Sequence, residues 1–479
     1  MAETGTGAGE PTEPTDTEPE SAGNTTASRL WRSIWRTHFY AGLFAAPILV
    51  LLAVTGLVIL YTEPIEQALD GDLVTVTVTA GDERVTFDDQ RAAVADRYPD
   101  WDVVSVTPPK EPDRSTAFAM TDEDGSAVNV YVDPYTGEVL GRQNDGADIV
   151  GLANRLHGNL DNESVTVPVP SLAGIFGDGP AFADAAVGDM LVEVFAGWGL
   201  VLAFTGAYLW WPRKQGTGKA LFVPRIRKPG RARWRDLHAV GGTVLAVMLV
   251  FFLTTGLPWS TGRDPIPPSG AGGGHHGGGE TAAESTDASG PPADPVSLDT
   301  VVAAAEDEGM RPGYTVDMPV DVLDDPDAPV YGSYVVINPW PSRMQHQGAL
   351  YLDQFSAKTL AESTPRTWGR LQWLTELGIQ SHMGTQYGIF TRTLMTLACV
   401  LVLWNVTTAA IMWNNRRRKG TLGLPRRPAD VRLQRILGIT ALVLAVVYPL
   451  WGLTLVAVLL VDRYVVRRVP KLRYAFGMR

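Results

Sequence analysis

Five blocks of apolar residues, at about 39–61, 187–211, 236–259, 387–413 and 436–461, limit what this chain can fold into. Each is about as long as the 20 residues a helix needs to cross hydrocarbon, where backbone polar groups must be satisfied within the segment. Between the blocks the chain is polar and rich in Gly, Pro and Asp. The apolar share of 45% over 479 residues hides this segregation.

Charge sets the orientation, because Lys and Arg stay on the cytoplasmic side of membrane segments. Basic clusters stand at Arg29, Arg32 and Arg36, between 213 and 235, and between 416 and 435. Crossing at each block puts all three on one side, so the chain is expected to be a multi-pass protein of the cell (plasma) membrane with a cytoplasmic N-terminus. The segments 62–186 and 260–386 then lie outside and carry the acidic excess. The net charge of −12 therefore says nothing about nucleic acid, and the partner expected first is the lipid bilayer.

The fifth block is followed by Arg463, Arg467, Arg468, Lys471 and Arg473, which one crossing would place outside. Pro449 and Gly452 at its midpoint suit a hairpin of two half-length helices that both end in the cytoplasm. A single kinked crossing is the alternative. Cys399 is the sole cysteine and lies within the fourth block, which excludes disulfides, iron–sulfur clusters and thioether-linked haem. Residues 1–27 lack periodicity and read as a disordered tail, which leaves the first helix an uncleaved anchor.

The third block repeats the first. Trp35-Arg36-Thr37-His38 matches Trp234-Arg235-Asp236-Leu237-His238 with one residue of slack, Gly42 and Gly242 each follow the histidine by four, and Thr55-Gly56 and Thr255-Gly256 each begin seventeen residues after it. At 1.5 Å per residue that spacing is about 25 Å, so histidine and Thr-Gly pair mark opposite membrane faces. The outside segments repeat too: Val130-Tyr131-Val132-Asp133-Pro134-Tyr135-Thr136-Gly137 matches Leu350-Tyr351-Leu352-Asp353-Gln354-Phe355-Ser356-Ala357, a β-hairpin pattern in both. Short helices are expected at 86–98 and 297–309, ahead of the strands. Thr205-Gly206 beside Thr408-Ala409 closes the repeat, and each runs on into a tryptophan and arginines.

Four of the seven histidines, His38, His157, His238 and His382, fall at equivalent places in the two repeats. A lone histidine at a helix end reads as an interfacial residue. Two copies about a pseudo-two-fold axis, however, bring His38 to face His238 and His157 to face His382, as two axial ligands reach one haem. Gly42, Gly241 and Gly242 give a porphyrin room near the backbone, or serve helix packing. Two haems near opposite faces make an electron wire across the membrane. Zinc fits less well, because neither pair has a Cys or carboxylate nearby and no HExxH occurs. His275 and His276 lie in low-complexity sequence, and His346 is given no role. No phosphate-binding glycine motif occurs, so the electron donor is a separate cytoplasmic flavin or flavoprotein. No buried carboxylate and no broken helix are expected in the first four blocks, which argues against a transporter.

These residues give the chain a resemblance to the PepSY-associated transmembrane helix family, which includes iron-regulated membrane proteins and ferric-siderophore reductases. It rests on Trp35 to Gly42, Val130 to Leu140, Leu156-His157-Gly158, Thr205 to Arg213, Arg235 to Gly242 and His382 to Gly388. The resemblance implies two b-type haems whose iron is held by His38, His238, His157 and His382, with PepSY domains outside. The implied function is reduction of a ferric siderophore or other ferric chelate by electrons from the cytoplasmic side. No acid–base catalytic residue is required. The alternative is a non-enzymatic PepSY membrane protein that binds or regulates a partner or a peptidase.

The expected fold is an α-helical membrane bundle of four core transmembrane helices in two parallel repeats, plus a C-terminal helical hairpin, with two extracytoplasmic α+β PepSY-like domains. Its order is the tail, helix 28–61, first outside domain 62–186, helix 187–211, basic loop 212–235 and helix 236–259. A Gly/Pro-rich linker 260–296, second outside domain 297–386, helix 387–413, basic loop 414–435, hairpin 436–461 and basic tail 462–479 follow.

Overall fold

A computed structural model of the chain describes residues 26–79, 81, 83–162, 164–170, 181–211, 223–226, 230–256, 294–321, 331–338, 341–417, 422–423 and 449–476. The tail, nearly all of the linker with His275 and His276, much of both basic loops and the first half of the fifth block lie outside the described residues.

In chain order the first half contains helices α1 (Thr26–Leu60), α2 (Thr62–Leu69), α3 (Gly71–Val74) and α4 (Phe87–Arg97). Strands β1 (Asp102–Thr107), β2 (Thr116–Thr121), β3 (Ala127–Val132) and β4 (Val139–Asn144) follow, then α5 (Ile149–Asn159), β5 (Thr166–Pro170), β6 (Phe182–Ala186) and α6 (Val187–Trp210). The second half contains α7 (Arg231–Thr255), α8 (Leu298–Asp307), β7 (Thr315–Asp317), β8 (Ser333–Asn338), β9 (Gly348–Asp353), β10 (Thr359–Ser363), α9 (Arg370–His382) and α10 (Ile389–Arg416). Helices α11 (Pro449–Val461) and α12 (Pro470–Ala475) end the described chain.

Four helices, α1, α6, α7 and α10, are long and apolar enough to cross a membrane. They close into a ring in which α1 packs on α6 and α10, and α7 packs on the same two, so α1 and α7 stand at opposite corners. Their outer faces expose large apolar side chains, among them Val247 at 74%, Phe251, Phe390 and Leu397. So large an apolar surface calls for lipid rather than water.

Local sequence explains the short elements. The Thr86 hydroxyl caps α4 by accepting from the Asp89 amide, and Ser297 caps α8 by accepting from Thr300. In the turn after β3, Asp133 accepts from the Tyr135 and Thr136 amides, and Asp353 accepts from Phe355 and Ser356 in the turn after β9. The first turn closes on Gly137 at φ +73°, and the second holds Ala357 at φ +54°, where a Cβ is costly.

The segments 62–186 and 297–386, expected as two domains, share one eight-stranded sheet of order β10-β9-β8-β7-β1-β2-β3-β4. The seam is the antiparallel pairing of β1 with β7, Ser105 opposite Asp317 and Val106 opposite Val316. Without it each four-stranded meander would expose an edge strand. A single core runs across the seam, with Val94, Phe118 and Val130 from one half meeting Leu298, Val301, Val336 and Leu352 from the other. The domain is thus two layers, the sheet on one side and α4 and α8 on the other.

The fifth block is described only from Pro449. Trp451 packs against Gly197 of α6, whose added Cβ would stand 2.6 Å from the indole. The chain then runs to Phe476, whose ring stacks on Tyr40 and whose carbonyl accepts from Arg36. The described C-terminus therefore lies at the His38 end of the bundle. The choice between hairpin and crossing rests on 436–448, outside the described residues.

Candidate functional site

The four repeated histidines form two pairs, one within the ring and one at its sheet end. His38 on α1 and His238 on α7 have ring centroids 6.3 Å apart with planes at 79°. His157 on α5 and His382 on α9 lie 6.5 Å apart at 70°. The first pair joins the diagonal helices directly. The second sits at the sheet end, where α5 packs on α1 and α9 packs on α7.

Each imidazole is seated by a threonine on a neighbouring helix. His38 Nδ1 meets Thr205 Oγ1 at 2.9 Å, and His157 Nδ1 meets Thr55 Oγ1 at 3.0 Å. His238 Nδ1 meets the Asn405 carbonyl and Thr408 Oγ1, both at 3.1 Å. His382 Nδ1 meets the Phe252 carbonyl at 3.1 Å and Thr255 Oγ1 at 3.3 Å.

These contacts fix the tautomer. Each of the four threonines donates its one hydroxyl proton to the carbonyl four residues before it, at Val201, Leu51, Trp404 and Phe251. Its oxygen is left to accept, and a backbone carbonyl can only accept. At His238 and His382, which also meet a backbone carbonyl, Nδ1 therefore carries the proton and the lone pair sits on Nε2; the threonines seat His38 and His157 through the same ring atom. Burial also holds His157 and His382 below the usual imidazole range, His382 at about 4, with His157 close by adding to the effect. Neutral rings of fixed tautomer are what a metal ion needs from histidine.

Three seats continue into a glycine against which the ring lies. A Cβ on Gly206 would stand 3.1 Å from His38 Cε1, one on Gly56 3.2 Å from His157 Cε1, and one on Gly256 3.5 Å from His382 Cε1. The fourth seat carries Ala409. Gly42, Gly241 and Gly242 instead abut Leu202, Trp404 and Asn405, so they serve helix packing.

The separations of 6.3 and 6.5 Å match those of two imidazoles that share one metal ion. Metal–imidazole bonds of about 2 Å, with about 1 Å from each nitrogen to its ring centre, put the centroids about 6 Å apart. Among the described residues no cluster of three or more His, Cys, Asp or Glu groups could complete a tetrahedral site. Along α1, His38 of one pair and Thr55, the seat of the other, are seventeen residues or about 25 Å apart. The same count separates His238 from Thr255 on α7.

Sequence reasoning missed two parts of this site. The Thr-Gly pairs were legible as repeats, but as depth markers rather than seats for the histidine of the opposite face. Buried carboxylates were also expected to be absent from the first four blocks, and that is corrected: Glu193 on α6 is 2% exposed and Asp236 on α7 is 1% exposed. Asp236 is held by Arg225 and Arg235 two residues before His238. Glu193 removes the argument from missing carboxylates against a transporter.

Fold and site together define a membrane helical bundle that carries two facing histidine pairs and one large antiparallel sheet at one end. The chain matches the PepSY-associated TM region family over residues 35–416, and it belongs to that family. The family is associated with iron-regulated membrane proteins. No curated protein matches the chain.

Proposed function

We propose that the protein is a di-haem b-type membrane oxidoreductase that passes electrons from the cytoplasmic side to an extracytoplasmic ferric chelate, such as a ferric siderophore. The observation that carries this reading is the pair of facing imidazole couples, at 6.3 and 6.5 Å, with every Nδ1 anchored. His38 and His238 would hold one haem, and His157 and His382 the other. Bound there, haem supplies reversible single-electron carriage.

The chain's own residues prepare that chemistry. Thr205, Thr408, Thr55 and Thr255 seat the rings through Nδ1, and the helix ring keeps bulk water away. With a histidine supplied from each side, a haem held there would suit electron transfer rather than oxygen binding. Arg36, Arg235 and Arg416 cluster toward the His38 end, which supports placing that end in the cytoplasm. The donor there is a separate reduced flavin or flavoprotein.

A visible spectrum with a pyridine haemochrome assay tests the reading. Two b haems per chain are expected, and His38→Ala should remove one and leave the other. A protein that stays colourless after haem reconstitution ends the proposal and returns the family's binding or regulatory reading to the front.

A further inference from the structure

The loop between α9 and α10 leaves His382 and reaches the membrane helix within seven residues. It is held in an unusual shape, since Gly384 (φ +72°), Tyr387 (φ +62°) and Gly388 (φ +56°) all lie in the left-handed region. For tyrosine this conformation is uncommon and persists only where the surroundings enforce it. The enforcement is visible: Gln386, 1% exposed, accepts the Met344 amide at 2.7 Å, and the Thr391 hydroxyl donates to the Gln386 and Gly384 carbonyls.

Pinned against this loop is a 3₁₀ turn at Met344–His346. The two flank an open depression of about 760 Å³ lined by Ser342, Arg343, Gln345, His346, Tyr387 and Gly388. That volume suits a small-molecule ligand. The lining holds a guanidinium, an imidazole, a phenol and a hydroxyl, and no carboxylate among the described residues. Arg343 makes no ion pair among the described residues, within an otherwise acidic outside segment. A positive, hydrogen-bonding concavity on a rigid frame is built to hold an oxyanion.

We propose that this cavity docks the electron acceptor, and that the acceptor is an anionic, oxygen-ligated ferric chelate whose carboxylate or phenolate edge meets Arg343, His346 and Tyr387. The assignment rests on the reductase reading above. Tyr387 is five residues from His382, a reach of at most about 17 Å even fully extended. Docking therefore places the chelate within roughly that span of His382. A group held by His157 and His382 would supply one electron to the docked iron, taking it from ferric to ferrous, with no bond to the protein formed and no proton moved. The electron is replaced from the reduced flavin at the other end.

The test uses the haem-loaded, full-length protein in nanodiscs of neutral phosphatidylcholine. Arg343→Glu, with Arg343→Gln as the milder variant, is expected to raise the KM for ferric citrate about tenfold or more, the loss of a charge-assisted contact. The kcat, the haem spectrum and the KM for neutral ferric maltol should stay within about twofold, because these do not use that contact. Gallium citrate, which cannot be reduced, probes docking alone by calorimetry and should lose affinity by the same factor. Unchanged gallium citrate binding in both variants overturns the docking site and leaves the reductase reading intact. Gallium citrate binding lost on Arg343→Glu, in a protein that reduces nothing, upholds the site and defeats the reductase reading. If anionic phosphatidylglycerol in the nanodisc abolishes gallium citrate binding to the parent protein, the cavity is a lipid headgroup site and the proposal fails.

Discussion

Asp88 and Asp299 exchange caps: Asp88 accepts the Leu298 amide at 3.0 Å, and Asp299 accepts the Phe87 amide at 3.0 Å. Each is a first-turn acid of one helix that also satisfies the N-terminus of the other. The joint between the two halves of the sheet domain is therefore electrostatic as well as apolar. Asp299→Ala is expected to cost about 1 kcal/mol, as cap losses do. Asp88→Ala should cost about the same, and the double variant less than the sum, because both act at one joint. Denaturant midpoints of the full-length protein in detergent measure all three; strict additivity would show the caps to be independent.

Thr205→Val keeps the shape of the His38 seat but removes its hydroxyl. Nδ1 then loses its partner and the ring is freer to turn. By the reading proposed here, haem affinity at the His38–His238 pair should fall about 10- to 100-fold, the usual cost of losing such an outer partner. Thr55→Val should do the same at the other pair only. Haem content titrated against a competing apoprotein checks this, and loss at both pairs from one change would contradict the seating pattern.

Gly206→Ala tests the closeness of the same seat. The new Cβ would stand 3.1 Å from His38 Cε1, so the ring must shift by a few tenths of an ångström. The low-spin haem spectrum should broaden or shift while the protein stays folded. Gly42→Ala, whose Cβ would lie 3.6 Å from Leu202 in ordinary contact, is the control and should leave the spectrum unaltered.

Two acids give the sheet side a pH dependence. Burial pushes the Glu66 carboxyl up to about 7, helped by Asp148, Glu63 and Asp70, and burial pushes Asp317 at the seam up to about 6. Both folded values lie above the unfolded ones of 4.5 and 3.8. Each contribution to stability is therefore complete below pH about 4 and is lost as pH rises through about 6 to 7. The protein should be less resistant to denaturant at pH 8 than at pH 5, and Glu66→Gln should flatten the slope. A slope unmoved by both Glu66→Gln and Asp317→Asn would remove these groups as its cause.

Much of this was legible because membrane crossings and short turns are local. Apolar runs marked the four crossing helices, and Asp133 and Asp353 marked their turns through hydrogen bonds to residues two and three places on. The seam of β1 with β7 was not legible, since Val106 and Val316 pair across more than two hundred residues and nothing near either names its partner. The histidines stood out by repetition. Their seats did not, because a threonine in a helix bonds its own backbone whether or not a ring leans on it. Glu193 escaped notice inside an apolar run, where one carboxylate hardly alters the average.

The seventeen-residue interval on α1 and α7 has a mechanical consequence. Each helix carries a histidine of one pair and the seat of the other, so both pairs are tied to the same two rods. Their separation is set by a residue count and not by the surrounding lipid. In a thicker or thinner bilayer the flanks and the tilt must adjust, while the gap across which charge would travel stays constant.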